Sequence, residues 1–512
     1  MHYIRAGASN MLGFARHILR LGRIGWTLAQ HDALWPLELA QGLETAAMLA
    51  RLVSRKQPGR RRGERLADAL QKLGPTFVKF GQALSTRADL LGEEVADDLA
   101  DLQDHLPALP FETIRQRIEE EFEVPLEELF AHFETQAVAT ASIAQVHLAR
   151  TPAGDAVAVK ILRPGIEQAV ANDLRMFLWV ARWLERVAPL ARRLHPVDVV
   201  QTFAESVRIE MDFRLEAAAA VELAANFKGE EQFRVPSVDW RRTSRRVLTL
   251  EQVDGLPADE VEALRDSGHD PDAILAVAAE VFFKQVFRDG FFHADMHAGN
   301  VFVASDGAIV PVDFGIMGRL DRPTREYLAE MLLGFLSRDY ERVAAVHFRA
   351  GYVPSDQSEA LFAQAARSIG EPILERPLNE ISVARLLQQL FRITTQFRME
   401  TQPQLLLLQK TMLMAEGMGR RLNPSVNIWE MARPLIEDWM LDRLHPSRRA
   451  RRAAVELRGR FDRFFTAMDR IDRTLERLAE DETTRRRGIP VQIQGLLGGL
   501  AFLILLAALL FD

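Results

Sequence analysis

A chain of 512 residues, 48% hydrophobic and 26% charged, has enough apolar mass for roughly two to four folded domains. It contains no cysteine, which excludes disulfides, thiolate metal sites and cysteine nucleophiles. A net charge of −7 argues against a nucleic-acid-binding protein. Basic residues are almost all arginine. Lysine occurs at only seven positions, so a lysine in a motif-like setting carries weight.

The first sixty residues hold a basic amphipathic pattern. Leu12, Phe14, Ile18, Leu19, Leu21 and Ile24 alternate with Arg16, Arg20 and Arg23. Arginines interrupt every apolar run, which argues against a signal peptide. The pattern fits a surface helix on its own core, or a helix lying on an anionic membrane face. "QPGRRRGER" (57–65) reads as a linker, 64–92 as helix and 94–134 as two more helices. Lys79 and Gln82, one turn apart in "GPTFVKFGQALSTRADLL", share a helix face.

Strand-like text begins at 137. Gln145–Ala149 and Ala156–Leu162 predict a hairpin across "TPAGD", with Lys160 at the end of "VAVK". A loop, a strand, a turn and a strand bearing lysine is the order in which a nucleotide-binding lobe begins. The candidate phosphate loop comprises Ala137, Val138, Ala139, Thr140, Ala141, Ser142, Ile143, Ala144 and Gln145. Such loops normally use glycine, because backbone amides must approach the phosphates closely. Side chains here make a left-handed backbone cost about 1–2 kcal/mol per residue. The γ-phosphate is therefore expected to sit less tightly, or in another pose, than under a glycine loop.

Residues 166–228 predict two helices broken near His195-Pro196. "RIEMDFRLEAAAA" (208–220) offers Glu210, Asp212 and Glu216 as carboxylate partners for Lys160, or as a solvated helix face. "RVPSVDW" and "RRVLTLEQV" read as strands, 271–289 as helix, and short strands follow around Val301 and Ile309. The most informative stretch is "FFHADMHAGNVFVASDGAIVPVDFG" (291–315). His293, Asp295 and Asn300, followed by Asp313-Phe314-Gly315, keep the order of the catalytic and metal loops of the protein-kinase superfamily. In that chemistry Asp295 accepts the proton of an attacking hydroxyl, and Asn300 and Asp313 hold Mg²⁺ against the phosphates. His293, Asp295 and His297 could alternatively be metal ligands of a zinc type. The register of Asp313 speaks for the first reading.

Beyond 322 the pattern is helical to about 480. Phe461, Phe464, Met468, Ile471, Leu475 and Leu478 space out a heptad seam, for packing on the same domain or for a coiled-coil partner. After Arg485, Arg486 and Arg487, no charge occurs from Gly488 to Phe511. At about 1.5 Å per residue that stretch gives a helix of roughly 35 Å, enough to cross a bilayer. The arginines place its N-terminal flank, and so the folded part, on the cytoplasmic side.

Taken together these residues resemble the UbiB family of atypical, protein-kinase-like proteins. Within it the nearest likeness is to bacterial members that serve ubiquinone biosynthesis. Four motifs carry the resemblance: the K-x-G-Q helix (74–91), the alanine-rich loop (139–147), "EMDFRLEA" (210–217) and "FFHADMHAGN" (291–300). The resemblance implies an α+β, two-lobed protein-kinase-like fold. Its parts would be an N-terminal helical extension over 1–134, an N-lobe over 135–255 and a helical C-lobe over 256–445. A basic juxtamembrane segment over 446–487 and a transmembrane helix over 488–512 would follow. It further implies that Lys160 pairs with Glu216 and Lys79 with Glu210. The K-x-G-Q helix, with Gln82, would fold over the active site. Asp212 would join Asn300 and Asp313 at the metal. ATP or ADP and Mg²⁺ are the implied cofactors, and the inner membrane the implied location. Membrane lipids, quinone-pathway intermediates or enzymes, and a second copy of the chain are the implied partners. Ala298 stands where the family often has proline, and Leu162 where it often has glutamine. An ATP-using kinase or ATPase is the function so implied; a nucleotide-gated scaffold that presents lipid is the alternative.

Overall fold

Gly74, at φ 110°, and Pro75 divide the helix expected over 64–92 into α2 (Arg62–Leu73) and α3 (Pro75–Ser85). The computed structural model describes residues 20–35, 54, 59–85, 92–100, 102, 107–187, 196–296, 298–372, 392–394, 396–399, 403–423 and 434–435. Within these, α1 covers 20–30 and turns Leu21, Ile24 and Leu28 onto a core with Trp35, Leu66, Leu70 and Phe77. Over this span the amphipathic face serves the protein's own interior. Arg20 holds Asp173 through two bonds of 3.0 Å. On α3, Phe77 and Phe80 pack edge-on or tilted against Phe177 and Phe203.

After α4 (Glu93–Ala100) and α5 (Phe111–Phe122) comes an antiparallel sheet. Its strands are β1 (His132–Phe133), β2 (Ala139–Thr140), β3 (Ala144–Arg150), β4 (Ala156–Leu162) and β5 (Val247–Glu251), in the order β1-β3-β4-β5 with β2 also on β3. Strand periodicity of two decides the faces. Val157, Val159 and Ile161 pack under Ile114 and Ile118 of α5, with Leu126 and Phe130. The other face turns Leu162 and Leu248 to the main core, where Phe213, Ala217, Ala220 and Leu223 of α8 (Phe213–Asn226) lie. Lys160, two residues before Leu162, stands on that second face.

The helical stretch before β5 holds three pieces where two were expected: α6 (Ile166–Val187), α7 (Pro196–Glu210) and α8. The extra break falls at Met211-Asp212. There the Asp212 carboxylate accepts from the Arg214 amide and starts a new helix as its N-cap. The strand expected over 234–240 is reduced to one bridge, Val238 to Leu250, before a short turn at Trp240–Arg242. Pro236 cannot donate to a ladder.

A three-stranded sheet follows, β6 (Gly255–Pro257), β8 (Val301–Ala304) and β9 (Ile309–Pro311), in the order β6-β8-β9. Helices α9 (Val261–Asp266) and α10 (Pro271–Phe283) precede a π-helical turn at Lys284–Asp289. That turn ends on Gly290 at φ 66°, where a Cβ would meet the Leu320 carbonyl at 2.5 Å. Strands β7 (Phe291–His293) and β10 (Met317–Arg319) then pair at the two ends of the 294–316 stretch. At Gly318 the register puts the Phe292 ring 2.1 Å from any added Cβ. Helices α11 (Arg322–Leu336), α12 (Tyr340–Arg349) and α13 (Glu359–Gly370) build a separate core around Tyr340 and Phe362. From α14 (Pro403–Leu422), Met418 and Leu422 join the main core.

The heptad seam, the arginine-rich segment and the apolar stretch 488–511 lie outside the described residues, as does His297. Among the described residues no helix is long and apolar enough to cross a membrane.

Candidate active site

Lys160, brought by β4, sits between two carboxylates from distant parts of the chain. Its Nζ lies 2.8 Å from Glu216 Oε1 on α8 and 3.3 Å from Asp313 Oδ2 in the loop after β9. Glu216 Oε1 also accepts the Phe314 amide at 3.4 Å, and Asp313 Oδ1 accepts the Gly315 amide at 2.9 Å. Phe213, the first residue of α8, offers its ring to Lys160 Nζ at 5.4 Å. Three elements are thus joined at one ammonium.

Burial sets the electrostatics. The Glu216 side chain is 5% exposed, and that of Asp313 is 39% exposed. Desolvation pushes the Glu216 carboxyl up to about 7, although Lys160 pulls the other way, and the charge of Asp313 adds to the rise. At Asp313 desolvation is outweighed by Lys160 and the Gly315 amide, which hold the carboxyl below the usual carboxylate range. At Lys160 it is outweighed by Asp313 and then Glu216, so the ammonium is retained above the usual lysine value. One lysine therefore keeps one carboxylate firmly ionised and leaves the other near neutrality.

The loop after β7 is organised by His293, which is 1% exposed. Its Nδ1 accepts the Asp295 amide at 3.2 Å and its Nε2 donates to the Asp313 carbonyl. Both ring nitrogens are committed in the neutral form, so neither remains for a metal. Behind it the Gln285 side chain, from the π-helical turn, accepts the His293 amide at 2.8 Å. Asn300 donates through Nδ2 to the Asp295 carbonyl at 3.4 Å, which leaves Oδ1 as its remaining polar atom.

Lys79 and Glu210 meet at 2.9 Å, joining α3 to the end of α7, and Gln82 donates to the Leu102 carbonyl at 3.4 Å. Asp212 caps the N-terminus of α8. Its two oxygens take the Arg214 amide and the Arg214 guanidinium at 2.9 and 2.6 Å. The hydrogen bonds of Arg214 draw its carboxyl down.

The alanine-rich loop is the β2–β3 hairpin, with Ala139 opposite Val146 and Thr140 opposite Gln145. None of residues 137–145 has a positive φ, so the left-handed cost expected for alanines is never incurred. Val138 is 53% exposed, whereas Gln145 is fixed inside. Gln145 Nε2 donates to His147 Nε2 at 2.7 Å, and His147 Nδ1 donates to the Glu134 carbonyl at 2.8 Å. The role of Gln285 was not readable from the sequence, because a buried glutamine in an apolar helical stretch carries no spacing signal.

Residues 101–347 match the ABC1 atypical kinase-like domain, and residues 366–427 the UbiB helical domain. A Marinobacter nauticus protein described as "Probable protein kinase UbiB" is 44% identical over 435 residues, covering 84% of this chain and 80% of its own. A Pseudomonas paraeruginosa protein of the same description is 43% identical over 438 residues, covering 84% and 82%. In a solved structure of Rv3197 with erythromycin, from Mycobacterium tuberculosis, the fold agrees at a TM-score of 0.53 and 24% identity. The match covers 77% of this chain and 97% of that one. The fold is protein-kinase-like, with α and β elements mixed.

Proposed function

This chain belongs to the UbiB family of ABC1 atypical kinase-like proteins, and we propose that it binds Mg²⁺ with ATP or ADP where the five-stranded sheet meets the 291–315 loops. We propose further that it uses ATP there, as an atypical kinase or ATPase in support of ubiquinone biosynthesis. The observation that carries this reading is the junction of Lys160, Glu216 and Asp313 at 2.8 and 3.3 Å.

The donors suit the cofactor. Asp313 has an ionised, partly exposed carboxylate, and Asn300 has an uncommitted Oδ1. Hard oxygen ligands of this kind are those Mg²⁺ takes beside phosphates. Bound there, the ion would neutralise charge on the phosphate oxygens. Lys160 would face the α- and β-phosphates, aimed by Glu216. Asp295, fixed through His293, would accept the proton of the attacking hydroxyl or water. Asp212, the N-cap of α8, holds the Arg214 amide and guanidinium. The arginine-flanked apolar stretch of the sequence supports attachment at the cytoplasmic face of the inner membrane. Membrane lipids, quinone intermediates or their enzymes, and a second copy of the chain are the partners this reading takes.

Purified protein should hydrolyse ATP slowly in Mg²⁺, and Asp313→Asn should abolish turnover. Unchanged turnover in that variant would sink the reading. The pinning of α3 to α7 by Lys79 and Glu210 favours a second reading, a nucleotide-gated scaffold. Label from γ-labelled ATP appearing only as free phosphate, never on a prenylphenol lipid or a protein, would select it.

A further inference from the structure

Ser142 and Ile143 form the tip of the β2–β3 hairpin. Hairpin tips belong to the surface, yet Ser142 is 0% exposed and Ile143 7%. The carbonyls of Ala141 and Ile143 are taken up, the first by Arg163 Nε at 3.1 Å and the second by the Arg163 amide at 2.8 Å. Among the described residues the amides of Ser142 and Ile143 meet no acceptor, and the buried Ser142 hydroxyl has no hydrogen-bond partner.

Arg163 also reaches away from the hairpin. Both terminal nitrogens of its guanidinium lie 3.1 Å from the Pro107 carbonyl. Beside it, Gln145 Oε1 accepts the Leu109 amide at 2.9 Å. Two side chains therefore tie the tip to the stretch that leads into α5. Arg163 itself is 7% exposed, so these bonds are shielded from water.

Two successive amides with a hydroxyl beside them are donors of the kind a phosphate takes. Left buried without acceptors, such donors raise the free energy of the closed state. We infer that Arg163 is a positioning residue that latches this tip shut, so that closure competes with binding of a nucleoside triphosphate. The inference rests on the nucleotide site proposed above and adds what controls its affinity. The 107–110 stretch, outside the sheet, acts on the loop through Arg163 and Gln145.

The test uses full-length Arg163→Met and Arg163→Lys, with three readouts: thermal midpoint, Mg-ATP affinity, and hydrogen exchange of the 139–145 amides without nucleotide. A latch predicts opposite signs. Arg163→Met should lower the midpoint and speed exchange in 139–145 with β4 and β5 unchanged. It should nevertheless bind Mg-ATP about tenfold more tightly, the worth of one net hydrogen bond. Arg163→Lys, able to keep one of the two carbonyls, should fall between. Unchanged exchange overturns the latch. Faster exchange with equal or weaker Mg-ATP binding overturns its inhibitory sense and makes Arg163 part of the site's scaffold. Faster exchange with no Mg-ATP bound by any form, wild type included, supports the latch and overturns the nucleotide reading instead. Should Arg163→Met not fold, Gln145→Met, which cuts the tie to Leu109, carries the same expectations.

Discussion

Glu216→Gln should become more stable relative to the wild type as pH rises, and lose activity while doing so. In the folded protein the Glu216 carboxyl titrates at about 7, against 4.5 for an ordinary glutamate. Between those values the folded protein holds a proton that the unfolded chain has released. The stability so gained is complete below about pH 4.5 and is lost as pH rises through about 7. At 1.36 kcal/mol per pH unit the difference amounts to about 3 kcal/mol. Glutamine resembles the protonated acid. It keeps an acceptor for Lys160 and Phe314 and does not titrate. The gap between wild type and variant should therefore move by about 2–3 kcal/mol in favour of the variant from pH 5 to pH 8. For a domain of this size that is about 5–10 °C in relative thermal midpoint. Thermal unfolding of both proteins at the two pH values measures it. Asp313, held below the usual carboxylate range, stays ionised across this window and does not blur the result. ATP turnover of the variant should fall at pH 8, because Lys160 loses the charged partner that aims it. A gap independent of pH, or one moving in favour of the wild type, would mean that Lys160 outweighs burial at Glu216 and would refute the reasoning.

Three more outcomes are expected. His293→Phe keeps a ring beside Phe314 but leaves the Asp295 amide and the Asp313 carbonyl unmatched. Turnover should fall at least about tenfold with a smaller change in Mg-ATP affinity, read from kinetics and direct binding. Gly318→Ala drives a methyl into the Phe292 ring and should cost about 1–3 kcal/mol in urea unfolding, with Phe292→Leu restoring part of the loss. Asp212→Ala should cost about 1 kcal/mol and Asp212→Asn much less, as for a helix cap. The Mg²⁺ requirement should be unchanged in both; a higher requirement in Asp212→Asn would return this residue to the metal.

Legibility followed sequence distance. His293, Asp295, Asn300 and Asp313 lie within 21 residues on one strand-loop-strand unit, so their order alone announced a site. The partner of Lys160 was another matter. Glu210, Asp212 and Glu216 were equal candidates from residue pattern, and only the family resemblance separated them. What divides them physically is the break at Met211-Asp212, which spends Asp212 on a cap and buries Glu216 one turn into α8. Propensity does not foretell that break, because the stretch has no proline or glycine. Strands β7 and β10, three residues each, are too short to show alternation. The alanine-rich loop departs from glycine as its sequence announces, and the left-handed cost attached to its side chains does not arise. A hairpin with negative φ throughout needs no glycine to form.

The commitment of both His293 nitrogens has a bearing on how this site can change over time. The backbone that carries Asp295 and the backbone that carries Asp313 hang on opposite edges of one imidazole. A substitution that tilts that ring shifts both at once, so neither loop can drift alone toward a new geometry. Variation that retunes the chemistry is left to the rim, where the hairpin, the 107–110 stretch and α3 meet it from outside this shared pivot.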